Sequence, residues 1–175
     1  LQKNKRLNIV DEFVVMDNIF DIYSSSLSFL ELKVNETIDF LSLDLDGNDY
    51  YFVNQLLTEG ARPKVFCLEY NPKFRTPTNL KIEYNSAHQW KNNDDYYGCS
   101  LQAYVELLKD FDYTLVVCNV TGSNCIFIKN EYISHFKVYS EAELYQPGRD
   151  FLSPMFKGKP ASMKYLLNLV SSTSK

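Results

Sequence analysis

The sequence predicts an α/β domain with a mainly parallel sheet that ends in an antiparallel hairpin. Three observations predict it. Apolar runs of strand length alternate with stretches of helical length, the pattern of parallel strands joined by right-handed crossovers. The run at 38–45 is apolar almost throughout, as expected for a parallel strand covered on both faces. Residues 113–119 and 124–129 are separated only by Val120-Thr121-Gly122-Ser123, which leaves no room for a helix, so they should pair as a hairpin. A chain of 175 residues is long enough for one domain with a real core.

Taken in order, Asp11 to Met16 reads as a short strand. Residues 17–32 carry Ile19, Phe20, Tyr23, Leu27 and Leu30 at mixed helical spacing, and read as a short helix or helical turns. The strand at 38–45 follows, then a helix from Asn48 to Leu57 that Gly60 ends. Arg62-Pro63 leads into a second buried strand at 64–70. Residues 71–97 show neither period and contain Pro72 and Pro77, so they form a long loop, of a kind that is usually functional. Ser100 is the N-cap of an amphipathic helix over 100–109, with Leu101, Tyr104, Val105 and Leu108 on one face. The hairpin closes the α/β domain, assigned to 1–138. Residues 139–175 form a C-terminal extension with a helix at 161–171.

Composition narrows the classes. Acidic residues outnumber basic ones, 22 to 18, for a net charge of −4, and no basic tract suggests nucleic acid. No apolar run reaches the length of a membrane span, and no signal peptide is visible. Cys67, Cys99, Cys118 and Cys125 form no CxxC pair and lie in or near apolar runs, so they read as reduced thiols of a cytoplasmic protein. Cys118 and Cys125 could face each other across the hairpin, where one disulfide is possible but not favoured. Tyr and Phe are frequent, at 13 and 12, and several occupy the polar stretch 70–97, where they line a pocket or pack the loop.

The chemistry concentrates in Phe40-Leu41-Ser42-Leu43-Asp44-Leu45-Asp46-Gly47. In a strand, residues two apart share a face, so Asp44 and Asp46 should project together from its carboxyl end. Open α/β sheets bind ligands at that end. Crowded carboxylates need a cation, a donor-rich ligand or a shared proton. Glu69 and Asn71 end the next strand with the same spacing. Asp44, Asp46 and Glu69 together suit a hard cation, Mg²⁺, Mn²⁺ or Ca²⁺, which would hold a substrate hydroxyl and lower its pKa. Without a metal, a carboxylate acts as general base. The alternative is structural: Asp46 caps the following helix and Asp49 sits in its first turn. His88, beside Trp90 in the long loop, is the loop's candidate base. Trp90, Tyr96 and Tyr97 offer stacking surfaces, and Asn119 ends the penultimate strand on the same rim.

Four segments carry a family resemblance: Leu43 to Tyr50, Leu68-Glu69-Tyr70-Asn71-Pro72, Tyr96-Tyr97-Gly98-Cys99-Ser100-Leu101, and Cys118 to Asn124. In this order they resemble a set found in class I S-adenosylmethionine-dependent methyltransferases related to the FkbM family, over roughly residues 10–130. The resemblance implies a Rossmann-like fold and methylation of a hydroxyl on a sugar, glycan or small molecule. Asp44, Asp46 and His88 would be catalytic, and Glu69, Asn71, Trp90, Tyr96, Tyr97 and Asn119 would line the substrate. The cofactor would sit near the carboxyl ends of 38–45 and 11–16, which points to Asp44, Leu45 and Asp17. The strand at 11–16 aligns with the family's third strand, so the expectation is a partial fold without the first βαβ unit. None of the six glycines forms a Gly-x-Gly turn. A homo-oligomer is compatible with this reading.

Two other readings stand beside it. Apolar-Asp-x-Asp-Gly also resembles the nucleophile strand of haloacid-dehalogenase-type phosphatases, although Asn48 replaces the usual Thr and the only later aspartate pair, Asp94-Asp95, follows no apolar run. The pair also resembles the Asp-x-Asp of nucleotide-sugar glycosyltransferases. A non-catalytic, degenerate Rossmann-like partner module is the alternative outside enzymes.

Overall fold

A computed structural model describes residues 7–34, 37–91 and 94–149, with Lys164 and Leu167. The elements run α1 (Ile19–Phe29), β1 (Phe40–Leu43), α2 (Asp49–Thr58), β2 (Val65–Glu69), α3 (Leu101–Lys109), β3 (Tyr113–Cys118) and β4 (Asn124–Lys129). A 3-10 turn, Asn130–His135, and the short α4, Glu141–Leu144, follow. The fold is α/β with a four-stranded sheet in the order β1-β2-β4-β3.

β1 and β2 pair in parallel, while β4 lies antiparallel between β2 and β3. The last strand is therefore inserted rather than added at the edge. Three strands share one direction, but only one of the three pairings is parallel, so the sheet is less parallel than the sequence suggested.

The main reason is at 11–16, which forms no strand. The Asn18 side chain accepts from the Val15 amide at 2.8 Å and donates to the Phe13 carbonyl at 3.0 Å. A single amide thus takes main-chain groups that a strand would offer to a neighbour, and it turns the chain into α1. β1 is also shorter than its apolar run, because the chain turns after Leu43. The predicted helix at 161–171 lies largely outside the described residues.

The helices dock through regularly spaced faces. α1 buries Ile19, Tyr23 and Leu27, and α2 buries Phe52, Val53, Leu56 and Leu57. α3 begins at the predicted cap, where the Ser100 hydroxyl accepts from the Ala103 amide. These faces meet Phe66 and Leu68 of β2 and Phe127 of β4 in one core. The long loop has a small core of its own, Leu80, Ile82 and Tyr96, and a bridge from Lys81 to Cys99 pins it. All four cysteines are free thiols, and Cys118 and Cys125 are cross-strand partners.

Candidate active site at the carboxyl rim of the sheet

The rim is built around Asp49. This carboxylate is fully buried at the start of α2 and accepts from the Leu45 amide at 2.7 Å and the Gly47 amide at 2.8 Å. Those two bonds fold the chain back immediately after β1. Asp46 takes a left-handed backbone, φ 55°, at the apex, a conformation that Asp tolerates better than most residues. Asp44 and Asp46 therefore converge through a turn and not through strand alternation. Asp46 does not cap α2. Its N-cap is Asn48, which makes no side-chain capping bond.

In-register pairing of β1 with β2 carries Asp44 alongside Glu69. One carboxylate oxygen from each of Asp44, Asp46 and Glu69 lies within 4.8 Å of the others, with both aspartates exposed and Glu69 half-buried. Mg²⁺, with bonds of about 2.1 Å, spans about 4.2 Å between opposed ligands, so it would draw the three inward. A larger cation with bonds of about 2.4 Å fits the spread with less movement. Partial desolvation, and then the charge of Asp46, raise the Asp44 carboxyl above the usual carboxylate range, while a hydrogen bond with Glu69 opposes the rise. A carboxyl shifted this way binds a proton more readily than a free aspartate, as a general base requires.

A cavity beside this cluster is lined by Asp44, Leu45, Asp46, Asn48 and His88, with Phe13 from the N-terminal segment. Burial, and then the positive charge of Lys164, lower the His88 imidazole below the ordinary histidine range, and Asp94 partly offsets this. His88 is thus neutral at pH 7.

The other predicted residues divide by what they touch. Asn71 is fully buried and donates to the carbonyls of Asp95 at 2.8 Å and Tyr97 at 3.3 Å, so its side chain braces the long loop. Asn119 accepts from the amides of Ser123 at 2.9 Å and Asn124 at 3.0 Å, closing the hairpin turn. Trp90 and Tyr97 pack at 4.8 Å between ring centroids, and the Trp90 indole donates to the Asp94 carbonyl. The Tyr96 hydroxyl accepts from the Glu83 amide. Asp17 is exposed at the start of α1 and does not line the cavity. Asp95 is buried against Lys73 at 3.2 Å, so it is not a second rim carboxylate of the kind the phosphatase reading needs.

The four sequence segments that carry the family resemblance meet at this rim. The Gly98 amide donates to the Gly47 carbonyl at 2.9 Å, the Asn71 amide to the Cys99 carbonyl at 2.7 Å, and the Tyr70 amide to the Ser123 carbonyl at 2.8 Å. Three main-chain bonds, spanning 28 to 53 residues of sequence, thus stitch the four segments into one surface. The sequence reading missed Asp49 as the organiser of the turn. The signal was there, since an aspartate two residues after a glycine turn can accept from that turn's amides.

No protein-family model matches this chain, and no curated protein matches it. Among the described residues no helix is long and apolar enough to cross a membrane.

Proposed function

We propose that this domain belongs to an S-adenosylmethionine-dependent O-methyltransferase, related to the FkbM group, that acts on a hydroxyl of a sugar, glycan or other small molecule. The observation that carries the reading is the joining of the four resembling segments by main-chain bonds at the rim that holds Asp44, Asp46 and Glu69. The sheet order, with its last strand antiparallel and inserted, is compatible with the Rossmann-like fold of that class.

The cavity residues fit one half of the cofactor. Glu12 supplies acceptors for ribose hydroxyls, and Phe13 and Leu45 supply apolar surface for a base. Among the described residues the lining contains no Lys or Arg, and the sequence has no Gly-x-Gly turn for the amino-acid carboxylate. When bound, the cofactor supplies an electrophilic methyl group. Asp44 would take the proton of the acceptor hydroxyl. Asp46 and Glu69 would hold the hydroxyl, directly or with a bound Mg²⁺ or Mn²⁺, which would lower its pKa. His88 lines the same cavity.

The test is transfer of labelled methyl groups to a panel of saccharides and small polyols by the protein expressed from its whole reading frame. Label should enter an acceptor and fall on the order of 10²-fold in Asp44→Asn. Label unaffected by that change would remove Asp44 from the chemistry. No labelled acceptor across the panel would sink the reading.

A further inference from the structure

We infer that Gly47 and Asn48 are positioning residues for His88, holding its imidazole against the turn that carries Asp46, on the wall of the cavity beside the acidic cluster. Its relevance to methyl transfer rests on the function proposed above, whereas the placement itself does not.

Three observations carry the inference. First, a Cβ at position 47 would lie 2.5 Å from His88 Cδ2 and 3.3 Å from Nε2, so the imidazole occupies the space a side chain would need. Gly47 is not among the residues with positive φ. The ring, and not the backbone angle, excludes larger residues there. Second, Asn48 is 5 % exposed and its side-chain amide is committed to the long loop. Its Nδ2 donates to the Asn85 carbonyl at 2.9 Å, and its Oδ1 accepts from the Asn85 amide at 3.3 Å. The same Asn85 carbonyl accepts from the His88 amide at 2.9 Å, and the Asn85 side chain accepts from Ala87. One carbonyl therefore links Asn48 to His88. Third, His88 Nε2 is buried and has no hydrogen-bond partner, although the ring lines the cavity. Buried polar atoms normally find a partner. The ring instead packs against Gly47 and edge-on to Tyr96, at 6.1 Å between centroids.

The chain has only two histidines, so proton spectra of the imidazoles assign from a single His88→Ala control. A nuclear Overhauser contact should join His88 Hδ2 to the Gly47 α-protons. Asn48→Ala should abolish that contact while the rest of the spectrum stays dispersed. Gly47→Ala should lower Tm by about 5 °C, as overpacking does in a domain of this size. In the His88→Ala background the same substitution should cost less than half as much. Retention of the contact in Asn48→Ala, or an equal Tm loss in both backgrounds, would overturn the inference. If Gly47→Ala fails to fold, its combination with His88→Ala should fold; failure of both would overturn it equally. Mn²⁺ added to the same wild-type sample tests the cation part of the proposed function separately. Missing paramagnetic broadening at His88 would count against the cation and leave the positioning intact.

Discussion

Asp44 and Asp49 are five residues apart and chemically identical, yet they make opposite predictions. Asp44 is partly desolvated and lies beside the like charge of Asp46, so its folded-state pKa is raised. The unfolded value is about 4. The folded state therefore holds this proton more tightly, and Asp44's contribution to stability falls as pH rises from about 4 through the folded value. Asp44→Asn should match wild type near pH 4 and melt equally or slightly higher at pH 7, while losing turnover. Melting curves across that range check the sign, and a variant that loses stability at pH 7 would make Asp44 a structural residue. Asp49 is fully buried and satisfies the Leu45 and Gly47 amides. Asp49→Ala should cost about 2–4 kcal/mol, since it leaves two turn donors without their charged acceptor. Urea denaturation measures it, and a loss under 1 kcal/mol would contradict the organising role. The pairing of Asp44 with Asp46 was legible in the sequence because close spacing brings carboxylates together in a strand or in a turn alike. Burial is not local information, so Asp49 looked like a helix-end charge.

Among the elements, those with strong periodicity were legible and those that need a partner were not. The spacing of Leu101, Tyr104 and Leu108 fixes α3 without tertiary help, and Ser100 marks its start. That cap has a second duty, since the buried Ser100 hydroxyl also accepts from the Leu80 amide at 3.0 Å. Ser100→Ala should therefore cost about 2 kcal/mol, more than an ordinary cap, and should loosen the long loop as well as α3. Hydrogen exchange at the Leu80 and Ala103 amides separates the two duties, and acceleration at Ala103 alone would refute the shared one. Residues 11–16 show the converse. Phe13, Val14 and Val15 have strand propensity, but Asn18 takes their main-chain groups. Propensity cannot show which acceptor arrives first. Likewise, the hairpin was legible from its short turn, but insertion of β4 beside β2 depends on contacts nearly 60 residues apart.

Across the whole molecule, charge is unevenly spread. Between residues 7 and 49 the described acids are Asp11, Glu12, Asp17, Asp21, Glu31, Asp39, Asp44, Asp46 and Asp49, against Lys33 alone among the bases. The rim thus sits in the most negative part of the chain, a field that concentrates cations and repels the carboxylate of S-adenosylmethionine. Titration calorimetry of these 175 residues with that cofactor should show weak binding or none, and micromolar affinity would show that the cavity anchors the amino-acid end in another way. The strap at 145–149 has a different consequence. Tyr145 bonds to the Pro72 carbonyl, Tyr70 to the Gln146 carbonyl at 2.6 Å, and the Arg149 amide to the Thr121 carbonyl at 2.8 Å. Pro147 presses so close to Gly122 that no side chain fits there. A shortened gene product ending before Tyr145 would keep every rim residue, yet it would expose the Tyr70 phenol and free the hairpin turn. Trypsin should then cut it at Lys73 or Arg75 well before the longer chain, making digestion a quick assay of how far the folded unit extends.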